Sequence, residues 1–227
     1  RQRQMCIRDR QEVIIVGGGM VGLSLALMLA KQNIAVKLLE AIKYPNYDDE
    51  NLAPYHSSFD ARNSALSRRT VQIYQELGLW SALQEHATPI LEVNITEQGS
   101  FGKARLKAEQ EKVESFGQVI ENAWLGRVLL TEVQKQPLIE LIDGVQVTQL
   151  TQDADMAYID ASRGEEQLSL QAKLVIAADG RDSFCRKALG IGASEHDYDQ
   201  VAIVTTVQTS KPHNHVGFER FLSLIHI

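Results

Sequence analysis

Three glycines, Gly17, Gly19 and Gly22, stand at the spacing G-x-G-x-x-G within VIIVGGGMVGLSLALMLA, residues 13–30. In a run that binds a dinucleotide each has its own physical job. The first permits a tight turn, the second lets backbone approach a diphosphate with no Cβ between, and the third lets helix and strand pack closely. The free N–H groups and positive dipole end of the following helix then face the anion. The spacing alone is a weak signal. It gains weight because a strand-like run (Glu12 to Val16) precedes it and a helix-like run (Met20 to Gln32) follows. AVKLLE, Ala35 to Glu40, supplies a second strand and ends in an acid. A carboxylate there accepts hydrogen bonds from both ribose hydroxyls and repels a 2′-phosphate, so the slot favours FAD or NAD over NADP. The competing reading is a structural glycine turn with Glu40 as a surface acid.

These residues require a β-α-β unit of about 30 residues, the usual size for such a unit. The uncharged run at 13–30 reaches the lower length limit of a membrane helix, and a basic N-terminus imitates a secretory signal. Gly17, Gly18 and Gly19 in its middle argue instead for strand, turn and helix. Residues 43–58, with Pro45 and Pro54, read as a long loop. Ser64 or Ser67 is expected to cap a helix running to about Leu77, with Gly78 as its stop. LEVNITE and ARLKAE, within residues 90–121, read as inserted strands. Asn122 precedes a helical run, AWLGRVLLTEVQKQ, as a candidate N-cap. Residues 145–170 alternate as in a β-meander with turns near Asp153 and Gly164. KLVIAADG, Lys173 to Gly180, reads as a buried parallel strand ending in an Asp179-Gly180 turn, with a short helix from Ser183 to Leu189. QVAIVTTVQTS, Gln200 to Ser210, reads as a strand of a second sheet. The fold expected is α/β: a Rossmann-like domain with β-strand insertions and the start of a second sheet. Its expected bounds are 11–195, with the strands near 90–121 serving the substrate side and 196–222 opening a truncated substrate domain. Residues 1–10 and 223–227 read as non-native.

The 227 residues carry 23 Lys and Arg against 29 Asp and Glu, a net charge of −6. That balance disfavours nucleic acid, whose binders need a clustered basic surface. Cys6 and Cys185 make no metal-ligand spacing and no disulfide framework, which fits a reducing cytoplasm. His213 and His215 lack a third ligand, Trp80 and Trp124 read as core, and Asp48-Asp49-Glu50 as a solvated loop. No metal is expected.

A nucleotide slot leaves FAD and NAD open, and a resemblance separates them. Asp179-Gly180-Arg181-Asp182-Ser183-Phe184-Cys185-Arg186 resembles the D-G-x-x-S-x-x-R segment of the flavin aromatic hydroxylases. FDARNSALS, Phe59 to Ser67, is similar to the F-D-x-R-x-x-A-L-S segment of the ubiquinone-biosynthesis hydroxylases. Within them the pattern is closest to the 2-polyprenyl-6-methoxyphenol hydroxylases. GQVIEN, AADGRDS and GFERF agree, so the resemblance runs from about Gln11 to Phe221.

The resemblance implies an FAD-dependent monooxygenase that hydroxylates a polyprenylated phenol, with NAD(P)H as donor and O2 as oxidant, through a C4a-hydroperoxyflavin. It implies cofactor contacts at Gly17, Gly19, Gly22, Glu40, Asp179 and Gly180. Asp179 would face the ribityl–diphosphate side, and Arg186 would tie down its turn by ion pairing. Arg62 would lie beside the flavin as the catalytic cation, or else be a surface arginine paired with Asp60. Asn122 stands where many relatives place Arg or Gln near the flavin; a helix cap is the equal alternative. Other ubiquinone-biosynthesis proteins and the membrane surface enter as possible partners, and the expected location is cytoplasmic or peripheral at the inner membrane. Relatives continue into a third, Gly-Asp motif that is not present here, so this stretch alone is expected to be an inactive N-terminal fragment. Another flavin oxidoreductase of this fold, or a non-catalytic flavin-binding subunit, remains the alternative.

Overall fold

Apolar and β-branched residues from Val13 to Val16 form the middle of the fold, because such side chains fill a pleated surface covered on both faces. The computed structural model describes residues 9–44 and 59–222. The first strand, β1 (Asp9–Val16), leads into α1 (Met20–Lys31) and β2 (Val36–Leu39). Then come β3 (Asn63–Ser67), α2 (Arg68–Glu76), α3 (Trp80–Leu83), β4 (Ala87–Pro89), β5 (Glu92–Glu97), β6 (Lys103–Lys107) and β7 (Gly117–Glu121). Helix α4 (Asn122–Lys135) is followed by β8 (Ile139–Ile142), β9 (Gln146–Gln152), β10 (Ala157–Arg163) and β11 (Glu166–Ala177). A short helix α5 (Phe184–Ala188) and the strand β12 (Val216–Phe221) complete the order.

The chain divides into two compact units. The first takes the described residues up to Asp60 together with 125–202. The second takes 61–124 and the described residues from 203 onward.

In the first unit six strands lie in the order β8-β2-β1-β11-β10-β9. β1 pairs in parallel with β2 on one side and β11 on the other, with Val13 opposite Val36 and Leu174. Alternation splits the side chains between two faces. Ile14, Val16 and Leu39 join Val147, Leu150, Ile159, Leu170 and Ala172 in one buried cluster. Ile15 and Leu38, fully buried, point the other way. Helix α1 covers β2 with a stripe of Gly22, Leu23, Ala26, Leu27 and Ala30, the spacing of one helical face. Lys37 is buried beside its cross-strand neighbour Glu140, whose carboxylate lies 3.0 Å from the ammonium.

The second unit holds two small sheets. β3, β7 and β4 are antiparallel in the order β3-β7-β4. In the other, β12 runs parallel to β5 and β6 antiparallel to it. Ser67, not Ser64, caps α2: its hydroxyl accepts the Thr70 N–H at 3.2 Å. Gly78, at φ +78°, ends the helix, and the N–H groups of Gly78 and Leu79 close on the carbonyls of Gln75 and Tyr74.

Several expectations change. The first strand begins at Asp9, whose pairing with Leu170 brings residues 9 and 10, set aside as non-native, into the sheet. Lys173 to Ala177 is parallel to β1 but not buried, with Leu174 52% exposed. It is the tail of one long strand whose first half, to Ala172, pairs with β10 as the end of the meander. Gln200 to Ser210 forms no strand. Its β-branched residues stand exposed (Val201 and Ile203 are each 91% accessible), and a strand exists only where a neighbour accepts its hydrogen bonds. The later strand of the second unit is β12, which contains GFERF. Trp80 and Trp124 are half-buried. Most of the 43–58 loop and the acids 48–50 lie outside the described residues. The uncharged run 13–30 is a strand, turn and helix, and among the described residues no helix is long and apolar enough to cross a membrane.

Candidate functional site

Where β1, β2 and β11 end, the chain turns three times around one cavity of about 410 Å³ in the first unit. Gly17, Gly19, Glu40, Asp179 and Gly180 all line it. The carboxyl ends of parallel strands are where open α/β sheets bind ligands, because the turns there leave helix N-termini and backbone amides facing outward.

Gly17 begins the first turn. Its N–H donates to the Leu39 carbonyl at 2.8 Å, and its φ is +106°, a conformation that favours glycine. A Cβ on it would overlap the Ala178 carbonyl. Ala178 in turn donates its N–H to Val16 at 2.7 Å, so the turn is pinned between β2 and β11. Gly22, one turn into α1, is buried, and a Cβ there would overlap the Gly17 carbonyl. That is the close helix–strand approach expected of the third glycine. Gly19 is the N-cap of α1 and, having no side chain, leaves the first N–H groups of the helix uncovered by any cap.

Glu40 is 7% exposed. Its Oε2 accepts the Gly18 N–H at 2.5 Å and its Oε1 accepts the Ile42 N–H at 2.8 Å. The carboxylate is therefore fixed by backbone at both oxygens on the cavity wall, not loose at the surface.

The Asp179-Gly180 turn is closed from within. Asp179 Oδ1 accepts the Ser183 hydroxyl at 2.6 Å and Oδ2 accepts the Cys185 N–H at 3.0 Å. Burial pushes this carboxyl up, but the hydrogen bonds from Ser183 and Cys185 outweigh it and hold the group below the ordinary carboxylate range. The same carboxylate, together with burial, raises the Cys185 thiol to about 12, burial being the larger cause. Arg186 ties the turn down by donating to the Arg181 carbonyl at 2.7 Å. This replaces the ion pair expected of it; among the described residues Arg186 makes none.

Arg62 and Asn122 belong to the second unit. Arg62 is exposed and immediately precedes β3. Its carbonyl accepts the Asn122 N–H at 2.9 Å, while the Asn122 side chain, 5% exposed, accepts the Ser64 hydroxyl at 2.5 Å. Asn122 is the first residue of α4 rather than the one before it. The second unit also holds a cavity of about 500 Å³ lined by His86, His213, His215, Glu121 and Glu219 among others. The His86 ring packs on Trp124 at 4.0 Å between centroids.

Gly18 occupies an unspecified position of the motif, yet a Cβ there would overlap the Tyr44 hydroxyl. Tyr44, 7% exposed, donates that hydroxyl to the Gly18 carbonyl at 2.5 Å. Nothing in the spacing signals the contact, since the partners lie 26 positions apart.

A protein-family model described as an FAD binding domain matches residues 10–224. The chain is 32% identical over 211 residues to the ubiquinone hydroxylase UbiL of Rhodospirillum rubrum, covering 93% of this chain and 47% of that protein. It is 31% identical over 199 residues to the 3-demethoxyubiquinol 3-hydroxylase of Escherichia coli, covering 87% and 48%. The chain thus spans about half the length of the curated relatives it matches. Among solved structures, p-nitrophenol 4-monooxygenase PnpA from Pseudomonas putida superposes with a TM-score of 0.65 at 24% identity, over 80% of this chain and 44% of that one. The anhydrotetracycline hydroxylase OxyS from Streptomyces rimosus gives 0.67 at 23%, over 83% and 35%. At these identities the structures establish a shared fold.

Proposed function

This chain belongs to the FAD binding domain family, and from that premise we propose that its first-unit cavity holds the ADP half of FAD in a flavin-dependent monooxygenase. The protein's substrate is a polyprenylated phenol of ubiquinone biosynthesis, hydroxylated with NAD(P)H as donor and O2 as oxidant. Relatives named as a ubiquinone hydroxylase and a 3-demethoxyubiquinol 3-hydroxylase support that substrate class.

The observation that carries the reading is the cradle. Gly17 and Gly22 stand where a Cβ would overlap backbone, Glu40 is held at the end of β2, and α1 opens beside them on a glycine cap. This donor set fits an ADP group: amides and a helix N-terminus for the diphosphate, a carboxylate acceptor for ribose hydroxyls. Its volume falls within the range of cofactor sites.

FAD, when bound, supplies the redox and oxygen chemistry of the reaction. The chain's own residues have simpler tasks. Gly17 makes the tight turn, Gly19 lets backbone reach the diphosphate and Gly22 packs helix on strand, while Glu40 accepts from the ribose and Asp179 with Gly180 closes the wall on the ribityl side. Arg62 supplies a fixed cation that stabilises negative charge on the flavin, and Asn122 is a further hydrogen-bond donor to it; both roles rest on the family resemblance. The first unit binds nucleotide, and the second serves the substrate side. Peripheral contact with the inner membrane from the cytoplasmic side follows from the polyprenyl tail, whose methylenes partition into the bilayer.

The test uses the full-length protein. It should purify with bound flavin, oxidise NADH or NADPH when a short-tailed prenylphenol is added, and place one atom of isotopically labelled O2 in the product. Absence of flavin, or donor oxidation that yields peroxide and no hydroxylated ring, would overturn the assignment.

A further inference from the structure

Resting on the FAD reading above, we infer that Tyr44 is a positioning residue for the diphosphate turn. Gly18 is gripped through both of its backbone polar groups. Its N–H donates to Glu40 and its carbonyl accepts the Tyr44 hydroxyl. Tyr44 does not line the cavity, whereas Gly17, Gly19 and Glu40 do. The hydroxyl therefore draws the negative end of one peptide dipole away from the place proposed for an anion. A carbonyl left free to swing toward that place would repel a diphosphate, and the turn has glycines on both sides of Gly18 that would permit the swing.

Tyr44 is itself held by groups that never reach the cavity. Its N–H donates to Asp143 Oδ2 at 2.8 Å, and the Asp143 carbonyl accepts the Arg163 guanidinium at 2.6 Å. Its ring stacks on Phe59 with centroids 6.4 Å apart and planes 11° from parallel. Phe59 is buried against α4, where a Cβ on Gly126 would run into its ring. A glycine in the interior of a helix weakens it, and here it makes room for the aromatic that backs Tyr44. The same hydroxyl dictates the residue it holds: at Gly18 a methyl group would meet Tyr44 Oη first and the Glu40 Cβ at 3.0 Å next.

The experiment compares apo-protein affinities for FAD in the full-length protein. Tyr44→Phe keeps the ring stack and removes the hydroxyl; it should weaken FAD about three- to tenfold, the loss of one hydrogen bond, without lowering the thermal midpoint. Tyr44→Leu should lower both. Gly18→Ala should weaken FAD more than tenfold. The double variant Gly18→Ala with Tyr44→Phe should bind no more weakly than Gly18→Ala alone, because the phenyl ring ends one atom short of the new methyl group. Losses that multiply, wild-type affinity in Tyr44→Phe, or an equal fall in stability for Phe and Leu would each assign Tyr44 to the core and overturn the inference. A wild-type protein that takes up no FAD would overturn the cofactor reading and this one together, so the two failures are told apart.

Discussion

The Ser183 hydroxyl and the Asp179 carboxylate meet at 2.6 Å, and through this contact the residue that lines the cavity also anchors the helix behind it. Ser183 is the N-cap of α5, its oxygen accepting the Arg186 N–H at 3.0 Å while its hydrogen goes to Asp179. An acid of the cavity wall is thereby fixed by the chain itself.

Asp179→Asn should lower stability by about 1–2 kcal/mol at neutral pH, the usual scale for a helix cap. An amide cannot accept at both positions. The sign of the pH dependence follows from the depressed carboxyl. The ionised group stabilises the fold above its unfolded value near 3.9, and that contribution is lost as pH falls through the lower, folded value. Urea midpoints of wild type and variant should therefore differ at neutral pH and converge in acid. A gap that persists unchanged at the acid end would refute stabilisation by the ionised Asp179.

Glu40→Gln should be more damaging than the loss of a ribose contact alone. Both carboxylate oxygens accept backbone N–H groups, from Gly18 and Ile42, and an amide would turn an NH2 toward one of them. FAD should bind about tenfold to a hundredfold more weakly, corresponding to roughly 1.5–3 kcal/mol for a hydrogen bond to a charged group. Flavin titration of the full-length apo-protein measures it. Unaltered affinity would remove Glu40 from the site.

Arg62→Ala should separate retention of the cofactor from its chemistry. Most FAD affinity belongs to the nucleotide half, so occupancy should stay near that of wild type. Flavin reduction or hydroxylation should slow by at least tenfold if the guanidinium stabilises charge on the ring. Stopped-flow absorbance resolves the two half-reactions. Wild-type rates in both would return this exposed residue to a surface role.

The glycine turn was legible because three constraints coincide in a short stretch: an apolar run, the spacing of Gly17, Gly19 and Gly22, and an acid at Glu40. Local rules also placed the Gly78 stop and the meander and narrowed the cap to Ser64 or Ser67, of which the structure uses Ser67. What escaped is what depends on distant partners. Tyr44 and Phe59 lie 15 positions apart and carry no periodic signal, yet they stack on each other, and Tyr44 secures Gly18. FDARNSALS alternates poorly, yet its second half becomes β3 because β7 offers a matching edge from Gly117 to Glu121. QVAIVTTVQTS has the composition of a strand and forms none, since composition supplies propensity but not a neighbour.

The pairing of Val13 with Leu174 sets a schedule for biosynthesis. At about 5–20 residues per second, β1, α1 and β2 leave the ribosome on the order of ten seconds before β11 can join them. Through that interval β1 offers an unsatisfied edge, and Gly17 lacks the Ala178 carbonyl that later confines it. The glycine turn is therefore translated well before the strand that completes its shape. Substitutions in β11, far from any ligand, should act first on the yield of folded protein: they prolong the time for which that early edge is open to other chains.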